Sequence, residues 1–392
     1  MSFQDKLLDS FIAFEQEIDL QSPVHVYRKN ALKRFENKGF PTKKDEQWKY
    51  TSLKSIIQRD YNLSVNRNPN IELKDIKKYS INDIDSFKIV FVDGVFNPFL
   101  SNTTHDGMDI CVLSAALSKS KYKKTISKYF NKIVPDDESL ASLNTSYTQE
   151  GAYIYIPKSV LPEDPVQILH FSTGKNKPLW LQPRNIIIVE ENARVEIIER
   201  HQSLKSHTGL TNSLTEIYAE KNSFIDYYKI QNDLESSNLI DNTFIDQKRD
   251  SNVRVHTFSF GGKLTRNNLN FYHKGENIQS TLFLLSIIPT IISCIIIGFL
   301  FNRVDTGILA LGYVIFESVN AVMLGKKHYS KYGKLIIIQK ILTVILGIGF
   351  LYGFGYEGII LALGLTFVPH MIIFIKEFKN NKIQLNLLKS KR

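Results

Sequence analysis

The chain has 392 residues, of which 43% are hydrophobic, so it is long enough for two or three domains that each bury a core. Its formal net charge is +10, but 12 basic and only 4 acidic residues lie after residue 280, which leaves the front of the chain almost neutral. This distribution removes the main argument for nucleic-acid binding, and we expect no nucleic-acid partner. Two cysteines, Cys111 and Cys294, are too few to form a zinc or iron–sulfur ligand set by themselves.

Residues 1–80 are predicted to form a small helical domain. Apolar residues recur at helical spacing in two segments, and the second helix is expected to end at Gly39, shortly before Pro41. Trp48, one of two tryptophans, is interpreted as a packing anchor rather than a ligand site. The first 20 residues have no basic leader followed by an apolar core, so we expect residues 1–281 to be cytoplasmic.

Residues 81–150 are predicted to be an α/β connecting region. Residues 88–92 have the composition of a strand and are followed by turn residues. Residues 118–131 and 136–144 are predicted to be helices. The basic residues of the first of these helices are interpreted as a solvated face.

Residues 151–281 are predicted to form a β-helix, also called a β-solenoid. An apolar run, a polar corner and a second apolar run recur, and the corners at Asn192, Asn222, Asp250 and Gly275 lie 30, 28 and 25 residues apart. β-Branched and aromatic residues fill the runs, while Asn, Asp and Gly favour turns. Such units must stack on their neighbours to bury their apolar faces. A β-sandwich with hairpins of similar length is the alternative that this periodicity leaves open.

Gly261 and Gly262 lie side by side in the repeat region. Adjacent glycines can approach a phosphate, but no Gly-Lys-Ser or Gly-Lys-Thr stands at P-loop spacing. A tight corner between strands is therefore predicted.

Five histidines in the β region are candidates for metal ligands, because histidine is the commonest one. Their spacings match no standard metal site, so they are interpreted as surface or packed neutral histidines. No catalytic, cofactor-binding or metal-binding residue is predicted. The five are His170, His201, His207, His256 and His273.

Four groups of residues form an ordered set of motifs in the front of the chain. They are Gly39-Phe40-Pro41-Thr42 with Trp48-Lys49-Tyr50-Thr51; Phe91-Val92-Asp93-Gly94 with Leu100-Ser101; Leu143-Asn144-Thr145 with Gly151 and Ile154-Tyr155-Ile156-Pro157; and Gly261-Gly262-Lys263-Leu264-Thr265-Arg266-Asn267-Asn268-Leu269-Asn270. This set resembles the SufD family of the SUF iron–sulfur cluster assembly machinery over residues 1 to about 281. The motif residues taken as structural are Gly39, Pro41, Trp48, Asn144, Gly261, Gly262, Arg266 and Asn267.

The resemblance implies a helical N-terminal domain and a β-helix, with a SufB-like paralogue and a SufC-like ABC ATPase as partners. It also implies a scaffold component rather than an enzyme, with an iron–sulfur cluster held transiently with SufB and no cofactor on this chain alone. Members of the family continue beyond this point into more β-helix and a helical region that engages SufC. We therefore expect a truncated β-helix, a missing ATPase-binding region and impaired function.

Residues 282–392 are predicted to be a membrane fragment with four spans. Its apolar stretches are close to the ~20 residues that cross a hydrocarbon core, although Glu317 and Lys340 lie within two of them, and its basic loops indicate a cytoplasmic N-terminal side. A lipid bilayer is therefore an expected partner, with the tail as a tether to the cytoplasmic membrane. The predicted spans are residues 282–301, 307–324, 335–355 and 358–375.

The tail resembles the C-terminal spans of Wzx-type polysaccharide flippases, in its hydropathy and in segments such as Gly312-Tyr313-Val314-Ile315-Phe316 and Tyr356-Glu357-Gly358-Ile359. The chain is thus interpreted as a chimera, formed either in nature or by sequence assembly. A membrane transporter with a cytoplasmic β-solenoid domain is the alternative function, and a membrane-tethered binding module is a third.

Overall fold

The chain forms two compact units, Met1–Phe283 and Leu284–Arg392. The first contains helices and a β-solenoid, and the second contains a long apolar helix. The structure is a computed structural model. It describes residues 3–18, 20, 22, 24–61, 63, 71–77, 79, 85–105, 107–148, 150–173, 178–234 and 236–284, parts of 305–319, and residues 329–373.

The first unit begins with the small helical region that the sequence predicts. Its elements are α1 (Phe3–Glu15), α2 (His25–Lys38), a 3-10 turn (Glu46–Trp48), α3 (Lys54–Ile57) and α4 (Leu73–Lys77). Phe3, Leu7 and Phe11 are four residues apart, which places them on one buried face of α1. Helix α2 ends at Gly39, whose φ of 67° suits glycine because no Cβ is present.

A mixed segment connects this region to the solenoid. Its elements are β1 (Phe87–Val92), β2 (Val95–Phe96), a 3-10 turn (Pro98–Leu100), β3 (Asp109–Val112), α5 (Leu113–Ser118), α6 (Ser120–Tyr129) and α7 (Ser139–Ser146). All eight residues of α7 are buried, polar ones included. Helix α7 is therefore an internal element whose side-chain polar groups need partners.

Eleven further strands follow in the described residues. They are β4 (Ala152–Ile156), β5 (Val166–Ser172), β6 (Leu179–Leu181), β7 (Arg184–Val189), β8 (Arg194–Ser203), β9 (Gly209–Ala219), β10 (Phe224–Asp233), β11 (Ser237–Lys248), β12 (Asn252–Gly261), β13 (Leu264–Lys274) and β14 (Gln279–Leu284).

Within the described part of the chain, the strands form two seven-stranded sheets. One has the order β14-β12-β10-β8-β5-β1-β2, and the other has the order β13-β11-β9-β7-β4-β3 with β6 paired to β9. From β7 onward successive strands alternate between the sheets, and each pairs in parallel with the strand two positions along the chain. The predicted β-solenoid is therefore confirmed, since hairpins of a β-sandwich would pair antiparallel.

Polar residues in left-handed backbone conformation form the corners of the solenoid. Asn192, Asn222 and Asp250 have φ of 61°, 54° and 60°, as the predicted turns require. At the fourth corner this conformation belongs to Asn277, with φ of 53°, rather than to the predicted Gly275. The corners also bond to one another, since the amide of Asn222 donates to Oδ1 of Asn192 at 2.7 Å.

The interior between the two sheets changes from apolar to polar along each strand. Near the corner, Ile197 of β8 and Ile225 of β10 belong to a fully buried hydrophobic cluster. Alternation along a strand places Glu199 and His201 on the same inner face as Ile197, and Lys229 on that of Ile225. All three polar side chains are buried. The interior thus has an apolar half next to the corners and a polar half at the far ends of the strands.

The second unit contains one helix that is long and apolar enough to cross a membrane, among the residues that the structure describes. Helix α8 (Tyr329–Leu365) is broken at Gly355, where φ is 66°. Its segment Gly333–Tyr356 has 24 residues and a mean hydropathy of 2.2. A shorter apolar helix, Gly358–Ile373, follows the break.

The prediction of four membrane spans is corrected to one candidate in the described residues. Residues 282–284, the start of the first predicted span, instead continue strand β14, which pairs with β12. Residues 285–301 lie outside the described residues, and residues 307–324 are described only in part. A hydropathy pattern shows that a segment is apolar, but it does not show which strand its backbone pairs with. The apolar end of β14 is therefore predicted from the sequence as part of a membrane helix.

Candidate functional site

The polar half of the solenoid interior contains a group of buried ionisable side chains. We name it the interior polar cluster; its members are His170, Glu199, His201, Tyr227, Lys229 and Asp241. His170 of β5 pairs with His201 of β8, and Glu199 of β8 pairs with Lys229 of β10. Parallel strands in register place paired residues side by side on one face. Residues about 30 positions apart in sequence are thereby brought into contact.

Two histidines of the cluster converge on one carboxylate. Oε1 of Glu199 lies 3.5 Å from Nε2 of His170 and 3.3 Å from Nε2 of His201. The two imidazole rings stack with centroids 4.7 Å apart and an interplanar angle of 12°. His170 also stacks on the ring of Phe91 at 5.0 Å. Packing on both faces of the His170 ring therefore fixes its orientation toward Glu199.

Neighbours from both sheets hold the carboxylate of Glu199. Asn185 of β7 donates from Nδ2 to Oε1 at 2.9 Å, and the hydroxyl of Tyr227 donates to Oε2. Asn185 is itself fixed, because its Oδ1 accepts a hydrogen bond from the backbone N–H of Ala152 at 2.9 Å. Glu199 is thus positioned through both oxygens.

A buried ion pair lies in the next rung of the cluster. The ammonium of Lys229 contacts the carboxylate of Asp241 in the opposite sheet and donates to Oγ1 of Thr243 at 2.6 Å. Buried charges are costly unless they are paired and hydrogen-bonded. The pair crosses the interior and joins β10 to β11.

The cluster perturbs the pKa of Glu199 and of both histidines. Burial would raise the pKa of Glu199, but contacts with His170 and His201 and the charge of Lys229 outweigh burial and hold this pKa well below its ordinary value. Burial lowers the pKa of His170. Burial also disfavours protonation of His201, but Glu199 outweighs it and raises the pKa of His201. A proton in this group is therefore favoured on His201, beside an ionised Glu199.

A small cavity opens beside the two stacked histidines. Its volume is about 20 Å³, which is enough for one water-sized ligand. Besides His170 and His201, its lining includes Leu181, Thr211 and Asp233. The cluster therefore has a cavity beside its two histidines.

Two of the predicted motif residues, Trp48 and Arg266, are brought together away from this cluster. The guanidinium carbon of Arg266 in β13 lies 4.3 Å from the ring centroid of Trp48, a cation–π contact. The carbonyl oxygen of Gly39 accepts a hydrogen bond from the hydroxyl of Ser139, and Pro41 is half-buried nearby in the chain. These contacts join the helical region to α7 and to the solenoid.

Asn144 is the motif residue with the clearest packing role. It is fully buried in α7, and its amide donates to the backbone oxygens of Pro183 at 2.9 Å and Asn212 at 2.7 Å. These two acceptors precede β7 and lie in β9, respectively. Asn144 therefore bonds the internal helix to two successive rungs.

Of the remaining motif residues, Gly261 and Gly262 lie at the connection between β12 and β13, and Asn267 lies within β13. Gly261 and Gly262 have φ of 70° and 81°, and a Cβ at Gly261 would lie 2.3 Å from the carbonyl oxygen of Asp233. They form the tight corner that the sequence predicts. Asn267 donates to Oγ of Ser259 at 3.4 Å. The structural role of these residues in the family motif stays a prediction.

Glu199 is not among the residues singled out from the sequence, and His170 and His201 are predicted there as separate residues. A signal was present, because the two histidines are 31 residues apart, which is the register offset between β5 and β8. The other three histidines of the region lie elsewhere. His256 stacks on Tyr228 at 4.7 Å, Nδ1 of His207 lies 2.8 Å from the carbonyl oxygen of Lys205, and Nε2 of His273 lies 2.7 Å from Oγ of Ser280.

Two family models match consecutive parts of the chain. The model of the SufBD protein N-terminal region matches residues 1–168, and the model of the SUF system FeS cluster assembly SufBD core domain matches residues 170–289. The matched part of the chain, residues 1–168 and 170–289, belongs to the SufBD family. The resemblance predicted from the motifs is thereby confirmed at the level of the family, and all six residues of the interior polar cluster lie within the SufBD core domain.

Several curated proteins are similar to the chain. An iron–sulfur cluster assembly SufBD family protein of Synechocystis sp. is 25% identical over 256 residues, which are 63% of this chain and 56% of the relative. The iron–sulfur cluster assembly protein SufD of Escherichia coli is 25% identical over 269 residues, 67% of this chain and 59% of the relative. The chloroplastic protein ABCI7 of Arabidopsis thaliana is 24% identical over 273 residues, which are 66% of this chain and 55% of the relative. The chain thus spans little more than half the length of these relatives.

The end of the SufBD match bears on the tail. It reaches residue 289, past the predicted junction at about 281 and into the first predicted span. The resemblance of residues 282–392 to polysaccharide flippases receives no support from these comparisons, and the chimera stays a prediction.

Proposed function

We propose that this SufBD-family chain is a scaffold component of iron–sulfur cluster assembly and not an enzyme. The observation that carries the proposal is the family match, which extends through both the helical region and the solenoid. Two of the aligned relatives carry iron–sulfur cluster assembly in their names. A role in SUF cluster assembly is thus supported by two separate domains of one chain.

The partners of this proposal are those that the resemblance to the SufD family implies. We place the chain in the cytoplasm with a SufB-like paralogue and a SufC-like ABC ATPase, with the cluster as cargo formed together with the SufB-like partner. The chain spans little more than half of the length of its aligned relatives. We propose that its contact with the ATPase passes through the SufB-like partner.

Co-expression tests this proposal. The tagged full chain is produced with the SufB-like and SufC-like proteins of its own organism, and the complexes are separated by size-exclusion chromatography. We expect the SufB-like protein to co-purify with the chain, and the SufC-like protein to co-purify only when the SufB-like protein is present. The SufB-like and SufC-like proteins without the chain are the control. A chain that elutes alone in the presence of both partners would overturn the proposal.

The membrane-transporter alternative is not carried further. Among the described residues, its structural support is one helix of 24 residues, and one helix does not enclose a transport pathway. A membrane tether is compatible with this helix and stays a prediction.

A further inference from the structure

Three side chains of the interior polar cluster have the composition of a metal site. Two imidazoles and one carboxylate form the ligand set that binds catalytic zinc in some enzymes and non-haem Fe(II) in others. Their ligand atoms all lie within 4.8 Å of one another. We propose that His170, Glu199 and His201 bind one divalent transition-metal ion in the solenoid interior.

The distances suit a first-row metal ion. Two ligand atoms at tetrahedral positions about 2.05 Å from a zinc ion are about 3.3 Å apart. The corresponding distances from Oε1 of Glu199 are 3.5 Å to His170 and 3.3 Å to His201. The three ligand atoms lie within 4.8 Å of one another and the rings are stacked, so binding of an ion would require both rings to rotate until their nitrogen atoms point at it.

An unsatisfied nitrogen also points to a ligand. Nε2 of His170 is buried and has no partner in hydrogen-bonding geometry among the described residues, and the nearest carboxylate oxygen, Oε1 of Glu199, is 3.5 Å away. A buried polar atom without a partner is destabilising and uncommon in folded proteins. A metal ion would accept the lone pair of this nitrogen.

The surroundings support the site in the manner of a metal centre. Asn185 and Tyr227 donate to the two oxygens of Glu199, and such outer contacts orient metal-binding carboxylates. The cavity of about 20 Å³ beside the histidines has space for a water molecule as a fourth ligand. Both histidines are slightly accessible, at 9% and 6% exposure, so an ion can reach them with little rearrangement.

A proton could instead hold His201 and Glu199 together without any metal. The metal-bound site and the protonated His201–Glu199 pair differ in whether a metal ion is bound. Neither arrangement depends on a role in cluster assembly. Metal binding can therefore be tested on the purified full chain, without partners.

The experiment titrates the chelator-treated full chain, in detergent, with Co²⁺ and then with competing Zn²⁺. We expect one equivalent of Co²⁺ with ligand-field absorption typical of nitrogen and oxygen ligands, displaced by one equivalent of Zn²⁺. X-ray absorption of the zinc-loaded protein should show imidazole scattering. A wild-type chain that takes up no stoichiometric Co²⁺ overturns the proposal, whatever the variants do.

Variants identify the ligands. We expect His170→Gln and His201→Gln each to weaken Co²⁺ binding by more than the roughly 10–100-fold that loss of an outer contact costs. The matched control is His256→Gln, which removes a histidine of the same sheet that stacks on Tyr228 instead. Circular dichroism checks that each variant is folded. Equal binding by His170→Gln, His201→Gln and the control would assign the metal to another place and overturn the proposal.

Discussion

The two halves of the solenoid interior are built by the same strands with opposite chemistry. In β8, Ile197 lies among apolar neighbours next to the corner, while Glu199, two residues later on the same face, lies among ionisable ones. Burial of apolar surface stabilises the fold by about 25 cal/mol per Å², whereas buried charges gain little net stability even when paired. The comparison teaches that the apolar half holds the rungs together and that the polar half has another use.

The largest expected loss of stability follows from removing one charge from the polar half. Glu199→Ala would leave the charge of His201 without its partner and remove acceptors from Asn185 and Tyr227. We expect a loss of about 3–5 kcal/mol in the free energy of unfolding. Urea unfolding can be followed by fluorescence, because both tryptophans, Trp48 and Trp180, lie in the first unit.

A control for this variant lies on the outer face of the same strand. Glu196 has a side chain that is 46% exposed, so Glu196→Ala should change the free energy of unfolding by less than about 0.5 kcal/mol. If the two variants unfold at the same urea concentration, the polar half does not depend on Glu199.

The next effect concerns the apolar half. Ile197→Ala would leave a cavity in the hydrophobic cluster and should cost about 3 kcal/mol, while Ile197→Val should cost about 1 kcal/mol. The same urea experiment measures both. A negligible cost for Ile197→Ala would contradict the role of this half as the source of stability.

A corner variant should have a smaller effect. Asn222→Ala keeps a side chain at φ of 54° without the polar group that eases this conformation, so we expect a loss of about 1–2 kcal/mol. Asn222→Gly is the matched variant, because glycine accepts this conformation, and its loss should be less than half as large. Equal losses would assign the effect to the missing bond with Asn192 instead of the backbone.

Only a small change in stability is expected from the most drastic substitution in the polar half. Replacing His170, Glu199 and His201 by leucine and Tyr227 by phenylalanine removes the converging polar groups together. Apolar replacement of a whole buried charged group is often neutral, so we expect thermal and urea unfolding within about 1 kcal/mol of the parent, with loss of Co²⁺ binding. A loss of more than 3 kcal/mol would show that this polar half is itself a source of stability.

The sequence predicts the solenoid well because each corner depends only on residues that are adjacent in the chain. Asn192, Asn222 and Asp250 each need a conformation that few residues adopt, and their repetition is visible without any structure. The fourth corner was placed at Gly275 rather than Asn277, because glycine is also typical of turns and no local signal separates the two.

The interior polar cluster could not be predicted in the same way. Whether His170 meets His201 depends on the register between rungs, and a shift of one residue would turn one of the side chains to the opposite face. Register is set by the stacking of the whole sheet and not by the residues near either histidine. The apolar end of β14 at residues 282–284 was assigned to a membrane helix for a related reason, because its strand partner is distant in sequence.

From β7 onward the solenoid has one invariant edge and one adjustable edge. In the four corners from Asn192 to Asn277 the left-handed residue stands two positions before the next strand, as Asn192 does before β8 and Asn277 before β14. The opposite connections shorten along the chain, from residues 204–208 to 234–236 and then 262–263. Differences in rung length are therefore absorbed on one side only. Grafts between rungs, and alignments of one rung with another, should start at the corner and place their gaps at the opposite edge.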